Sequence, residues 1–180
     1  LRLYYNRNIH AVTYGYEGVV PDGASDLPAS RDYKFGEVVN IAGPASAPGY
    51  DFSGWSLTEG FTMPDKNVEI KGHFTARNDT IYTVEHYLQD LDGNSYTREE
   101  AKEWTGITGA TATAKPNTYK GFTFDGSVEG TVQTGTITGD GKLVLKLFYT
   151  RNSHTVTYNY EGKVPTGATA LPSAETYKYG

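Results

Sequence analysis

A run of 36 residues occurs twice in this chain. Leu1–Gly36 returns as Leu145–Gly180 at a constant offset of 144, without a gap, and 21 of the 36 aligned positions are identical. Leu1-Arg2-Leu3-Tyr4-Tyr5 becomes Leu145-Lys146-Leu147-Phe148-Tyr149, and Arg7-Asn8 becomes Arg151-Asn152. The stretch from His10 to Gly18 becomes His154 to Gly162. A fixed internal period of this size points to successive modules, each burying a small core of its own. The 180 residues read as about one and a quarter periods of a longer array, with two small folding units per period.

Composition narrows what those units are. The chain has 16 basic and 21 acidic side chains, a net charge of −5, and no cysteine. Disulfides and thiolate metal sites are excluded. A mildly acidic chain lacks the clustered Lys and Arg that phosphate neutralisation needs, so nucleic acid is not an expected partner. No apolar run is long enough for a membrane helix, and no membrane insertion is expected. Fifteen Tyr, two Trp and seven Phe, among abundant Thr, Val and Gly, favour pleated strands and tight turns. The expected class is β-rich, either all-β or α+β.

The second copy of the repeat displays the alternation best. From Lys142 to Tyr149, Leu143, Leu145, Leu147 and Tyr149 fall on one face and Lys142, Val144, Lys146 and Phe148 on the other. That pattern predicts a strand with one face on a core. Residues 1–5 are then the last strand of a preceding unit, and Asp140-Gly141 suits a type I′ hairpin turn. Further strands are expected at His10 to Tyr16, Glu37 to Ala42, Tyr50 to Trp55 and Asn67 to Phe74. Gly18 to Ser30 and Gly43 to Pro48, rich in Pro and Gly, read as loops. On the last of these strands Val68, Ile70 and Phe74 face inward, and Glu69, Lys71 and His73 outward.

A second unit starts near Thr80, with Tyr82, Val84, His86 and Leu88 alternating with Thr83, Glu85 and Tyr87. Thr97-Arg98-Glu99-Glu100 fits a helix capping box, but a strand returning from the Asp92-Gly93-Asn94 turn is the favoured reading of Tyr96 to Trp104. Weak strands are expected within Gly106 to Lys115, Tyr119 to Asp125 and Thr131 to Thr138. The predicted cores are Trp55, Tyr50, Phe52, Phe61, Phe74, Val12 and Tyr14 in the first unit. In the second they are Val84, Phe122, Phe124, Leu143, Leu145 and Leu147. Arg7-Asn8, Arg77-Asn78 and Arg151-Asn152 mark the expected unit boundaries.

Val12-Thr13-Tyr14, Gly36, Gly49-Tyr50-Asp51-Phe52-Ser53-Gly54-Trp55, Phe61-Thr62-Met63-Pro64, Val68 and Phe74 together carry a pattern. Over about residues 10–77 this resembles the internalin-type B-repeat, also called the Listeria–Bacteroides repeat. Tyr82-Thr83-Val84-Glu85-His86-Tyr87, Asp92-Gly93, Gly121-Phe122-Thr123-Phe124 and the strand from Gly141 to Tyr149 resemble a MucBP-like repeat. The resemblance implies tandem small β-grasp-like domains in an elongated array, as in stalks of Gram-positive adhesins that are secreted and anchored to the cell wall. Neither Leu27-Pro28-Ala29-Ser30 nor Leu171-Pro172-Ser173-Ala174 carries the Thr-Gly of a wall-sorting signal. The implied division is 1–9, the end of a preceding MucBP-like repeat with its linker; 10–78, a B-repeat-like domain; 79–153, a MucBP-like domain with its linker; and 154–180, the start of a further B-repeat-like domain.

Candidate chemistry is sparse. No Gly-x-Ser-x-Gly elbow accompanies the histidines, and His10 and His154 occupy the same repeat position, where a duplicated catalytic group is not expected. Gly135 to Lys142 lacks the spacing and the Ser/Thr of a phosphate loop. Asp90-Leu91-Asp92-Gly93-Asn94 lacks the later ligands of a calcium loop and reads as a turn. His73 and His86 are weighed as a metal pair and read as ordinary histidines. Asn78-Asp79-Thr80 is a glycosylation sequon that reads as linker. Lys71 and Lys146, placed outward, are not expected to form isopeptide crosslinks. The resulting expectations are no enzyme activity, no cofactor, no metal, and no catalytic residue. The expected role is a structural stalk segment, extracellular, whose partners are adjacent repeats of the same chain. The alternative is a glycan- or mucin-binding module, because exposed Tyr rings stack on sugar faces.

Overall fold

The computed structural model describes residues 1–180 and contains strands and no helix. Two compact units are present. One comprises residues 1–81, 105–110 and 136–142; the other comprises 82–104, 111–135 and 143–180.

The sheet of the first unit is formed by β1 (Ile9–Tyr16), β2 (Arg31–Lys34), β4 (Tyr50–Trp55) and β6 (Val68–Ala76), in the order β2-β1-β6-β4. Here β1 runs parallel to β6, with Val12 opposite Val68, and antiparallel to β2. Two short strands, β3 (Val38–Val39) and β5 (Phe61–Thr62), pair separately. Val12 and Ile70 from the central strands, Val39, Met63 and Trp55 make the buried cluster, with Tyr14, Tyr16, Tyr33, Phe52 and Phe61 packed against it. Val68 and Phe74 face as expected, and Phe74 lies 5.1–5.2 Å from the rings of Tyr16 and Phe52.

A bulge explains the spacing of the Phe-x-Gly-Trp motif. Phe52 pairs with Phe74 but Trp55 pairs with Gly72, so β4 carries one residue more than its partner over this stretch. Three positions apart in a regular strand, Phe52 and Trp55 would point to opposite faces. The extra residue, with Gly54 at φ 89°, turns both onto the core, ring centroids 4.9 Å apart. The Trp55 indole N–H donates to the Gly43 carbonyl at 2.8 Å, so its burial leaves no polar atom unpaired.

The second unit repeats the topology. Its strands are β7 (Thr80–Gln89), β8 (Tyr96–Gly106), β10 (Phe122–Phe124) and β12 (Val144–Arg151), ordered β10-β12-β7-β8. Again the first and last strands are parallel central neighbours, with Leu145 opposite Val84. In both sheets this is the strand order of a β-grasp sheet, without the helix. A small ladder of β9 (Thr111–Thr113) and β11 (Thr134–Thr136) packs so close that a Cβ on Gly135 would meet Leu143 at 2.6 Å. Val84, Ala112, Ala114, Leu145, Leu147 and Tyr149 are buried. Along the sheet edge β8 is almost wholly exposed; Arg98, Glu99, Glu100, Lys102 and Glu103 discourage further strand addition there.

Several expectations need correction. Leu1–Tyr5 forms no strand and lies exposed, whereas its copy is the central strand β12, held between β7 and β10. The same apolar alternation becomes a strand only where backbone partners flank it. Asp140 keeps a negative φ, and Gly141 alone is left-handed at 71°, so the turn that the Gly141 N–H closes on the Thr138 carbonyl is not type I′. It joins strands of two different ladders. Glu37 to Ala42 contributes only Val38–Val39 as strand, and β2 and β5 were not foreseen. Tyr50, at the end of β4, lines an open cavity instead of joining the cluster. Phe122 lies beside Arg151 and Tyr179 outside the second core. The supposed outer face of β12 is half covered, with Phe148 stacked 4.8 Å from Tyr87 and edge-on to Tyr96.

The remaining pair, β13 (Ser153–Val156) with β14 (Glu175–Lys178), reproduces β1 with β2. Ile9, His10, Ala11 and Val12 face Lys34, Tyr33, Asp32 and Arg31; Ser153, His154, Thr155 and Val156 face Lys178, Tyr177, Thr176 and Glu175. Every pair is related by the same 144-residue shift.

Trp55→Ala is expected to destabilise the first unit by about 3–5 kcal/mol, and Leu147→Ala the second by about 2–5 kcal/mol. Tyr50→Ala should cost far less than Trp55→Ala. Urea unfolding followed by near-ultraviolet circular dichroism measures all three.

Candidate functional site

The Arg-Asn pair that follows each copy of the repeated pentapeptide has a defined local job. The Asn8 carbonyl accepts the Phe35 N–H at 2.8 Å, and the Asn152 carbonyl accepts the Tyr179 N–H at 2.8 Å. The guanidinium of Arg7 donates to the Phe35 carbonyl at 3.4 Å, and that of Arg151 to the Tyr179 carbonyl at 2.6 Å. Each pair therefore clips the residue that follows β2 or β14. The loop between the paired strands is also copied: Ala24 N–H to Pro21 O at 3.1 Å corresponds to Ala168 N–H to Pro165 O at 3.2 Å. The Tyr16 hydroxyl donates to Ser25 O as the Tyr160 hydroxyl does to Thr169 O.

At the second clip the surroundings are filled. The Arg151 Nε donates to Gln89 O at 2.7 Å, and its guanidinium lies 4.9 Å from the centre of the Phe122 ring. The Tyr179 ring rests on Gly121, where a Cβ would stand 2.0 Å from it, and meets Phe122 edge-on. The Asn152 N–H donates to Gly121 O at 2.9 Å, and its side-chain oxygen accepts from Thr123. At the first clip Phe35 has no such cover and is 49% exposed. Asn8 instead donates to Asp65, which also bonds His10 at 2.6 Å. Those two bonds, that from Asn8 above all, hold the Asp65 carboxyl below its ordinary range.

Arg77-Asn78 does not repeat the clip. Arg77 makes a bidentate pair with Asp79 at 2.6 and 2.9 Å, because an acid stands two positions on where the other copies have Ile9 and Ser153. Its backbone joins a second network: Arg77 N–H to Gly49 O, Thr108 N–H to Arg77 O, and Thr108 Oγ1 to Gly49 O at 2.8 Å. Thr80, the sequon threonine, is buried with its hydroxyl 2.6 Å from that of Thr108. A cavity of about 420 Å³ opens beside this network, lined among others by Asp22, Pro48, Tyr50, Thr108, Thr138 and Asp140.

The other candidates resolve into structural roles. Asp92 accepts from the Asn94 and Ser95 N–H groups and the Ser95 hydroxyl, the turn that the sequence suggests, and these bonds hold its carboxyl low. His73 is exposed on β6, and His86 is buried in the second unit. Lys71 is partly exposed between Glu17 and Glu69, each at 3.5 Å. Lys146 lies across from buried Glu85, whose carboxylate is taken by Arg98 at 2.7 Å and Tyr87 at 2.6 Å. Burial alone would raise the Glu85 carboxyl, but these bonds and the charges of Arg98 and Lys146 outweigh it and keep it below normal.

Sequence reasoning passed over a buried polar cluster around His86. The Tyr149 hydroxyl accepts the Asn117 N–H at 2.8 Å and bonds His86 Nδ1 at 2.8 Å, the two rings stacked at 5.7 Å. Glu100 bonds Asn117 and Tyr119 at the rim. Burial pushes the His86 pKa below its ordinary value, against the opposing pull of the Glu100 charge. The signal available in sequence was a His placed in phase with Val84 on the apolar side of β7.

No family model matches the chain, and no curated protein matches it. Solved structures show similarity, two of them as follows. One is "Streptococcal High Identity Repeats in Tandem (SHIRT) domains 3-4 from cell surface protein", at 18% identity and a TM-score of 0.30, covering 79% of this chain and 98% of that one. The other is a crystal structure of Mub-RV, at 14% identity and a TM-score of 0.20, covering 80% of this chain and 98% of that one.

Two outcomes follow from this geometry. A Gly121→Ala change is expected to unseat Tyr179 and speed amide exchange in β14, with β12 unaffected. The His86 pKa is lower folded than unfolded, so the neutral buried ring contributes fully above about pH 6.5 and the contribution is lost as pH falls below that value. Urea midpoints for the second unit should therefore decline as pH falls below about 6.5, and His86→Gln should flatten that slope.

Proposed function

We propose that this chain is a segment of the stalk of a bacterial cell-surface adhesin, a scaffold of alternating β domains that presents a distal binding region. The observation that carries this reading is the 144-residue repeat, kept not only in sequence but in strand register, turn hydrogen bonds and the Arg-Asn clip. Selection on a single binding site would not require the whole hairpin and its clip twice. The domain boundaries at 10–78 and 79–153, with their B-repeat-like and MucBP-like character, and the extracellular, wall-anchored location belong to the same proposal. Neighbouring repeats are the partners. Two of the four histidines, His10 and His86, are engaged with Asp65 and Tyr149 in ways that serve packing, which favours a non-enzymatic role. Small-angle X-ray scattering should give the profile of a rod; the profile of a compact globule would overturn the scaffold reading.

A glycan- or mucin-binding role is the second reading, favoured by the cavity at Tyr50. An aromatic ring set among carboxylates and threonine hydroxyls suits the alternating apolar and polar faces of a sugar. Binding on a glycan array that Tyr50→Ala abolishes would support it, and silence at millimolar ligand would exclude it.

A further inference from the structure

Leu1, Leu3, Tyr4 and Tyr5 are each more than half exposed. Their counterparts form the heart of the second unit, where Leu145, Leu147 and Tyr149 are at most 1% exposed. The two pentapeptides differ only by Arg2 for Lys146 and Tyr4 for Phe148. Identical side chains thus occupy opposite environments, and the difference is whether two strands stand beside them.

We infer that Leu1–Tyr5 is a central β-strand awaiting its sheet, and that the occupant of this surface is a second copy of the segment 79–144. This rests on reading the chain as a tandem scaffold. The register follows from β12. In the docked form Leu1 opposes Val84 of the added copy, Leu3 opposes its His86, and Tyr5 opposes its Leu88 on one side and its Phe124 on the other. The Tyr5 hydroxyl takes the place of Tyr149, receiving the Asn117 N–H and bonding His86. Arg2 keeps the cation that Lys146 sets across from Glu85.

The clip supports the same geometry independently. Arg7 already holds the Phe35 carbonyl as Arg151 holds that of Tyr179. Phe35, half exposed, then covers the Gly121 of the added copy, and Arg7 stacks over its Phe122, as Tyr179 and Arg151 do. Within one chain the matching slot is filled by β12, so two free chains have no vacant sheet to offer each other.

The test extends the full chain by placing a second copy of residues 79–144 directly before Leu1, so that Val144 joins Leu1 as it joins Leu145. Amide hydrogen exchange in residues 2–5 is compared in the extended and original chains. Slowing on the order of 100-fold is expected, as for strands that open only with their unit. Leu3→Asp should leave the unfolding of the original chain unchanged and abolish protection throughout the added copy. Equal exchange in both chains, an added copy that stays unfolded, or equal effects of Leu3→Asp in both would overturn the inference. Rod-like scattering with unprotected residues 2–5 sinks this inference and leaves the scaffold reading standing. Globular scattering with protected residues does the reverse.

Discussion

Both sheets depend on one pairing: the first strand of the unit lies parallel to the last. β1 bonds β6 and β7 bonds β12, and each pair occupies the centre of its sheet. Neither core can exist until the chain has returned to its beginning. Val12 and Ile70 in one unit, Val84 and Leu145 in the other, belong to these central strands and are buried only because they are neighbours. The hairpin partners β2 and β8 and the antiparallel strands β4 and β10 add to an axis already formed. In a parallel pair the hydrogen bonds alone are no stronger than elsewhere. The side chains they bring together make the difference.

That dependence explains what the sequence could and could not disclose. The alternation from Leu143 to Tyr149 announced a strand and its inner face, and Trp55, Phe52 and Val12 announced a core, because burial on one face leaves a period of two. The same alternation at Leu1 to Tyr5 produced an expectation of strand that failed, since periodicity reports the face a strand would use and not whether partners are present. The one-residue bulge at Gly54 broke the period, so that Trp55 could be assigned to the core by its size but not by its phase. Phe148 was assigned to an outer face that Tyr87 and Tyr96 partly cover; such coverage depends on neighbours distant in sequence. Tyr50 was misplaced for the plainer reason that strand ends project past the cluster they belong to.

At the candidate site, the recurrence of Arg-Asn was visible and its mechanism was not. The Arg guanidinium and the Asn carbonyl hold the equivalent residue, Phe35 or Tyr179, in the two copies, yet Arg77-Asn78 looks alike and behaves otherwise because Asp79 captures its guanidinium. Glycine at 121 gained meaning only when the Tyr179 ring was found upon it. His86 shows the converse case. Its place in the alternation beside Val84 was legible but was not read as burial, and its stacking on Tyr149 links strands that are adjacent only in the folded sheet.

The parallel central pair also settles how each unit meets mechanical load. In the second unit the chain enters at the start of β7 and leaves at the end of β12, and because the two strands run the same way these points lie at opposite ends of the ladder. Tension along the polypeptide therefore slides the strands past one another, loading the six paired positions from Val144 to Tyr149 together instead of peeling them one at a time. The first unit, entered through β1 and left through β6, is strung in the same manner. A domain threaded this way meets extension with the backbone bonds of its middle strands all at once.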